Sequence, residues 1–307
     1  MSKVKDYLSL VKFSHTIFAM PFAIIGFFLG FSPFGTRQWN LNQTVGWGSD
    51  ITNLVWWKNG SIKFILVIIC MITARSAAMA FNRYLDRSFD AKNPRTAIRE
   101  IPKGIIAPSS ALRFVILNCL LFITATFFIN RICFYLSPVA LFVVLFYSYT
   151  KRFTPLCHLF LGLGLSLAPI GAYLAVTGRF DVLPILFSLA VIFWVSGFDI
   201  IYALQDMDFD KSQNLYSMPA SLGKSKALHV SQLLHVLSAI CVIVAGVHGG
   251  FHFLYWAGIA VFIGMLIYQH SIVKPNDLSK VNIAFMTANG IASVVFGVFV
   301  IADLLVL

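Results

Sequence analysis

The chain has 307 residues, of which 59% are hydrophobic and 11% charged, with a formal net charge of +11. Soluble domains are nearer half apolar and a quarter charged, so no aqueous core accounts for this much apolar side chain; its natural solvent is lipid. The Lys and Arg lie mostly between the apolar runs, which suits one face of a bilayer and argues against a nucleic-acid partner.

A helix needs about 20 apolar residues to cross a bilayer. Nine segments meet that length: 13–33, 62–84, 109–129, 133–151, 155–176, 183–205, 226–247, 251–272 and 281–304. The expected fold is therefore all-α: one polytopic membrane domain over 1–307. Lys3, Lys5 and Lys12 precede the first run as they would in a signal peptide, but no small-residue cleavage site follows Ile17–Phe31, so the segment reads as a retained span. The loop 34–61 carries Trp39, Trp47, Trp56 and Trp57, the usual interfacial anchors, and is assigned no chemistry. The second span holds Arg75 and ends in Asn82-Arg-Tyr-Leu-Asp86-Arg-Ser-Phe-Asp90; a loop with Lys92, Arg95, Arg99 and Lys103 follows. Asn130-Arg131 and Gly249-Gly250 join their neighbouring spans too tightly for anything but antiparallel packing. The fourth span closes on Tyr147-Ser-Tyr-Thr-Lys151. The sixth closes on Asp199-Ile-Ile-Tyr202-Ala-Leu-Gln-Asp206-Met-Asp-Phe-Asp210, and a second polar loop runs to 225. The five cysteines stand singly in apolar runs, without metal or redox spacing.

Counting Lys and Arg fixes an orientation. With the N-terminus inside, cytoplasmic segments hold 17 of the 23 and outer segments 5. This predicts an N-in, C-out protein of the inner (cytoplasmic) membrane, with both Asp-rich ends and both polar loops on the cytoplasmic face.

Those two ends hold six of the twelve acidic residues in the chain. Residues four apart on a helix share a face, so Asn82, Asp86 and Asp90 form one polar stripe, and Asp199, Asp206 and Asp210 a second. Asp208 points away. The spacing Asn82–Asp86–Asp90 recurs as Tyr202–Asp206–Asp210, a faint internal repeat. One such pair could be a solvated helix end; two on the same face of a membrane read as a site. Stacked carboxylates repel and need a positive partner. The ligand set, oxygens only with no thiolate and no nearby His, favours Mg²⁺ bridging carboxylates to phosphates. Arg95, Arg99 and Lys151 are the cations a diphosphate needs. Tyr147 and Lys151 lie one turn apart. Arg75, deep in its span and on the Asn82 face, pairs either with the Asp stripe, as a structural clamp, or with an anionic substrate group.

At these residues the chain resembles the UbiA-type intramembrane prenyltransferases: the NxxxDxxxD run, the following Arg95-Thr96 and Arg99, the YxxxK run, and the second DxxxD with its upstream Asp199. Lys92-Asn-Pro-Arg-Thr-Ala97 with Arg99-Glu-Ile-Pro102 is similar to the 4-hydroxybenzoate branch and its menaquinone-pathway relatives. The family often has Asp where this chain has Arg83. The resemblance implies nine helices around a central cavity, a cap of cytoplasmic loops, and Mg²⁺-dependent transfer of a polyprenyl chain from its diphosphate to an aromatic acid such as 4-hydroxybenzoate. On that footing the metal falls to Asn82, Asp86, Asp90, Asp206 and Asp210. The diphosphate falls to Arg95, Arg99 and Lys151, with Tyr147 beside them. Asp199 would accept a hydrogen bond from the acceptor phenol, Arg75 would hold its carboxylate, and Lys12 and His15 would line the pocket. A naphthoate, porphyrin or glycerol phosphate acceptor fits the same machinery. An ion-coupled transporter is the other class, but its carboxylates would sit nearer the bilayer midplane.

Overall fold

The computed structural model describes residues 3–11, 19–32 and 54–306. In chain order the helices are α1 (Lys3–Leu10), α2 (Met20–Phe31), α3 (Leu54–Leu85), α4 (Arg87–Asp90), α5 (Pro108–Ile129), α6 (Arg131–Thr150), α7 (Cys157–Thr177), α8 (Val182–Ala203), α9 (Met207–Ser212), α10 (Met218–Leu222), α11 (Lys224–Gly249), α12 (Phe253–Ile272) and α13 (Asn289–Val306). A 3₁₀ turn at Leu204–Asp206 and a π-helical turn at Ile283–Ala288 complete the set, and no strand occurs among the described residues.

Among the described residues, eight helical stretches are long and apolar enough to cross a membrane, and α2 adds a shorter apolar helix within the expected first span. Most expected span boundaries hold to within a few residues. The exception is α3, which starts at Leu54 rather than 62 and runs for 32 residues. Leu54-Val-Trp-Trp contains no helix breaker, so the aromatic interfacial run continues the span instead of ending it. Trp56 and Trp57 thus sit on a helix; Trp39 and Trp47 lie outside the described residues.

The short connections behave as their residues require. Asn130 caps α6 by accepting from the Cys133 N–H at 2.9 Å, and its amide donates to Leu174 O at 2.8 Å, tying this turn to the end of α7. Gly250 ends α11 at φ 61°, a left-handed conformation that glycine adopts without strain. Where α2 crosses α7, a Cβ on Gly26 would lie 2.0 Å from Pro169 O, so this crossing depends on glycine.

The main core lies between α2, α8, α11, α12 and α13 and is aromatic: Phe22, Phe187, Trp194, Tyr255, Phe262 and Phe296 are all fully buried. Several polar groups in this core pair with one another, as hydrocarbon demands. Trp194 Nε1 donates to Asn289 Oδ1 at 3.1 Å, and Gln269 Nε2 donates to the same oxygen at 2.6 Å. Asp303 of α13 accepts from the His252 and Tyr255 N–H groups at 2.9 and 3.1 Å, so one helix supplies the N-terminal cap of another.

The C-terminal ends of α3, α6 and α8 and the N-terminal end of α7 meet on one side of the bundle. The two polar loops close over them. Asn93 Nδ2 donates to Asp206 Oδ1 at 3.2 Å, and the Tyr216 N–H donates to Lys151 O at 2.7 Å.

Candidate active site

Each Asp-rich segment bends at its middle carboxylate. Asp86 has φ −90° and ψ 6°, and Asp206 has φ −101° and ψ 2°. This bridge conformation is sparsely populated and often seen at active sites. The second stripe is therefore not one continuous helix, as its spacing suggested: α8 stops at Ala203 and the 3₁₀ turn intervenes before α9. Neither Gly nor Pro marks the break in either segment. The faint repeat becomes a shared local shape, with the middle acid at the bend and the last acid turned inward. Asp90 is 6% and Asp210 0% exposed, while Asp208 faces outward.

Both segments line one chamber of about 300 Å³, together with Arg75, Asn82, Tyr147, Lys151 and Asp199. The ends of the second and sixth expected spans are thus brought together. The cations expected on the diphosphate are paired with the acids here. Arg99 Nη1 lies 2.7 Å from Asp90, Lys151 Nζ 2.7 Å from Asp210, and Arg95 grips Asp206 through Nε and Nη2. A carboxylate withdrawn from water needs a counter-charge, and the nearest arginine or lysine supplies it.

Two partners were not legible from spacing. Arg152 lies 2.8 Å from Asp86, and His158 Nδ1 lies 2.6 Å from Asp199 Oδ2. The latter corrects the expectation that no histidine is near. His158 comes from the first turn of α7, 41 positions from Asp199. A second cation directly after Lys151 was the signal available for Arg152. Asn93 on Asp206 is a third unforeseen contact. Arg83, off the stripe as expected, is 3% exposed and lies 3.5 Å from Glu100.

Burial raises the Asp86 carboxyl to about 6 from its ordinary 3.8, against the opposing pull of Arg152. Burial lowers Lys151, but the adjacent Asp210 outweighs it, and the ammonium ends above its ordinary value.

A second cavity of about 390 Å³ lies deeper and is almost wholly apolar, lined by residues such as Val67, Met71, Phe122, Ala140 and Gly164. It runs along α6 from Tyr147 to Cys133, on the order of 20 Å at the rise of an α-helix. Arg75, Met79, Tyr147, Leu161 and Leu165 line both cavities and form their boundary. Arg75 Nε is buried there and has no hydrogen-bond partner among the described residues. The Asp-stripe clamp considered for Arg75 is therefore not formed. Lys12 and His15 lie outside the described residues.

The donor set can be tested against Mg²⁺. Among the described residues no three His, Cys, Asp or Glu groups stand close enough to hold one metal ion by themselves. Mg²⁺ does not require such a cage: it commonly takes one or two carboxylates and completes its shell with water and substrate phosphate. Asn82, Asp86 and Asp206 offer oxygens at the chamber and fit that use. All four acids are held by a cation, but Asp90 and Asp210 are the more enclosed.

Comparison with known proteins gives concordant results. A sequence profile described as the UbiA prenyltransferase family matches residues 44–291. A 4-hydroxybenzoate octaprenyltransferase of Tolumonas auensis is 30% identical over 229 residues, 74% of this chain and 79% of the relative. One from Shewanella pealeana is 28% identical over 233 residues, 76% and 81% of the two chains. Among solved structures, an apo UbiA homologue from Aeropyrum pernix K1 superposes with a TM-score of 0.78 at 28% identity, covering 94% of this chain and 98% of that one. A UbiA homologue from Archaeoglobus fulgidus, solved with DMAPP and Mg²⁺, shares the fold with a TM-score of 0.72 at 19% identity, covering 98% and 100%.

Proposed function

The chain belongs to the UbiA prenyltransferase family, and from that premise we propose that it moves a polyprenyl chain from its diphosphate to a ring carbon of an aromatic acid resembling 4-hydroxybenzoate. The observation that carries this reading is the pair of cavities. A chamber rimmed by acids and cations suits a diphosphate with its metal, and the apolar cavity suits a hydrocarbon chain. The reacting carbon would then sit at their boundary, beside Arg75 and Tyr147. The names of the curated relatives support the acceptor class, and the DMAPP and Mg²⁺ of the archaeal homologue support the donor.

Asn82, Asp86 and Asp206 would hold Mg²⁺, with Asp90 and Asp210 behind them; when bound, the metal supplies positive charge to the diphosphate oxygens. Arg95, Arg99, Lys151 and Arg152 exchange part of their hold on the acids for phosphate oxygens. The bond from the prenyl carbon to the diphosphate breaks, and its electron pair leaves with the diphosphate. Phe198, Tyr202 and Phe285 line the chamber and offer ring faces to the allylic cation while excluding water. Asp199 accepts the phenol hydrogen bond, the ring carbon forms the new bond, and the ring gives up its proton to an oxygen of the departed diphosphate. The unpartnered Arg75 Nε takes the acceptor carboxylate. The excess of Lys and Arg on that side supports a chamber at the cytoplasmic face of the inner membrane, with the N-terminus inside.

The test is consumption of radiolabelled prenyl diphosphate by the purified protein in detergent, with and without Mg²⁺. Acceptors would be 4-hydroxybenzoate, a hydroxynaphthoate, a porphyrin and glycerol phosphate, with products identified by mass spectrometry. Prenylated hydroxybenzoate is expected. Turnover confined to a non-aromatic acceptor, or none with any, removes this reading.

A further inference from the structure

His158 has no part in the chemistry described above, yet it is buried at the floor of the chamber and touches the residue assigned to the phenol. Its Nδ1 lies 2.6 Å from Asp199 Oδ2, and its Nε2 lies 3.3 Å from the backbone N–H of Met218. The second contact decides the first. A backbone N–H can only donate, so Nε2 must present its lone pair. The proton of the ring is then on Nδ1, directed at Asp199. Two fixed partners leave a neutral imidazole with one tautomer, donating to an ionised carboxylate.

Met218 is itself held. It opens α10, whose N-cap Ser217 donates through Oγ to Asp210 Oδ2 at 2.9 Å. Asp210 in turn is held by Lys151 at 2.7 Å. Asp210, Ser217, Met218, His158 and Asp199 therefore form one connected line, in which each contact after the Ser217–Met218 peptide link is a hydrogen bond. It runs from the diphosphate end of the chamber to the acceptor end. With Oδ2 occupied by His158, Asp199 keeps its other oxygen for the chamber, where its side chain is 24% exposed.

From this geometry we infer that His158 is a positioning residue: as a neutral Nδ1–H imidazole it fixes the Asp199 carboxylate for the acceptor phenol and ties that orientation to closure of the second loop. This rests on the reading of Asp199 as the phenol's partner. A purely structural histidine would need neither a single tautomer nor coupling to Asp199.

The experiment compares His158→Ala, His158→Asn and His158→Gln with Asp199→Asn and the double variant His158→Ala/Asp199→Asn, all in detergent with saturating Mg²⁺. Asn offers an amide N–H near the position of Nδ1. His158→Asn is therefore expected to keep most of the turnover, while His158→Ala and His158→Gln lose about tenfold to a hundredfold in kcat, the usual loss for an orienting hydrogen bond behind an active group. KM for the prenyl diphosphate stays near the parent value. The double variant is no slower than Asp199→Asn alone, because His158 acts through that carboxylate. Nitrogen-15 NMR of histidine-labelled protein at neutral pH reports the tautomer without reference to activity. The Nδ1–H form is expected for His158, assigned by its loss in His158→Gln. An imidazolium, the Nε2–H tautomer, or an additive double variant overturns the inference. Full activity in Asp199→Asn instead sinks the parent reading and is recognised separately, because the NMR tautomer does not depend on it.

Discussion

Arg75→Met tests the contact assigned above to the acceptor carboxylate. Methionine keeps most of the length of the side chain in its span and removes the guanidinium. A charge-assisted hydrogen bond to a carboxylate contributes about 1.5–3 kcal/mol, which is about 10- to 150-fold in an equilibrium constant. The same buried Nε, lacking a partner, costs the free protein about 1–3 kcal/mol. Two effects of opposite sign follow from one substitution. In the parent, kcat/KM for 4-hydroxybenzoate should exceed that for phenol by about one to two orders of magnitude; in Arg75→Met this preference should collapse toward unity while KM for the prenyl diphosphate changes little. The melting temperature in detergent should hold or rise, since the variant no longer buries an unpaired donor. The assay is paired kinetics on the acid and the phenol in both proteins, so differences in expression and lipid content cancel. A variant that keeps the full preference refutes the assignment of the acceptor carboxylate to Arg75.

Other outcomes follow from the same contacts. Asp86→Ala and Asp206→Ala should each abolish transfer while leaving the protein monodisperse in detergent, and chelation should stop the parent reversibly; retained turnover in either variant ends their role at the metal. Because the metal-free Asp86 titrates at about 6, above its ordinary 3.8, protons compete with Mg²⁺ below that pH. The Mg²⁺ needed for half-maximal rate should rise by about tenfold for each pH unit below 6, the limit for one proton released on binding, and level off above it. The sign for stability is the reverse of a salt-bridged Asp: a raised pKa favours the metal-free fold at low pH, and that contribution is lost as pH rises through about 6. Asp303→Ala removes the acceptor for two N–H groups at the start of α12 and should cost about 1–3 kcal/mol in thermal or denaturant unfolding. An unchanged transition would show that those groups find another partner.

The acid-rich ends were legible in the sequence because a carboxylate beside an apolar run is rare enough to notice without any structure. Span positions followed from hydropathy, and the antiparallel turns from the shortness of Asn130-Arg131 and Gly249-Gly250. What spacing could not supply was anything decided by contact between distant segments. Arg152 and His158 face acids that lie 66 and 41 positions away. The bends at Asp86 and Asp206 carry no Gly or Pro, so periodicity ran straight through them. Arg95, Arg99 and Lys151 line the chamber, and their hold on the acids follows from dielectric surroundings that only the packed bundle creates.

The Asp–cation pairs also bear on how such a chain is made. A ribosome releases it one span at a time into a bilayer, where a bare cluster of carboxylates would repel itself before its inorganic partner arrived. Here Arg95, Arg99, Lys151 and Arg152 travel with the polypeptide as built-in counter-ions. Folding of this site therefore needs no metal, and on the proposed reading Mg²⁺ would arrive with the diphosphate that takes over the cations.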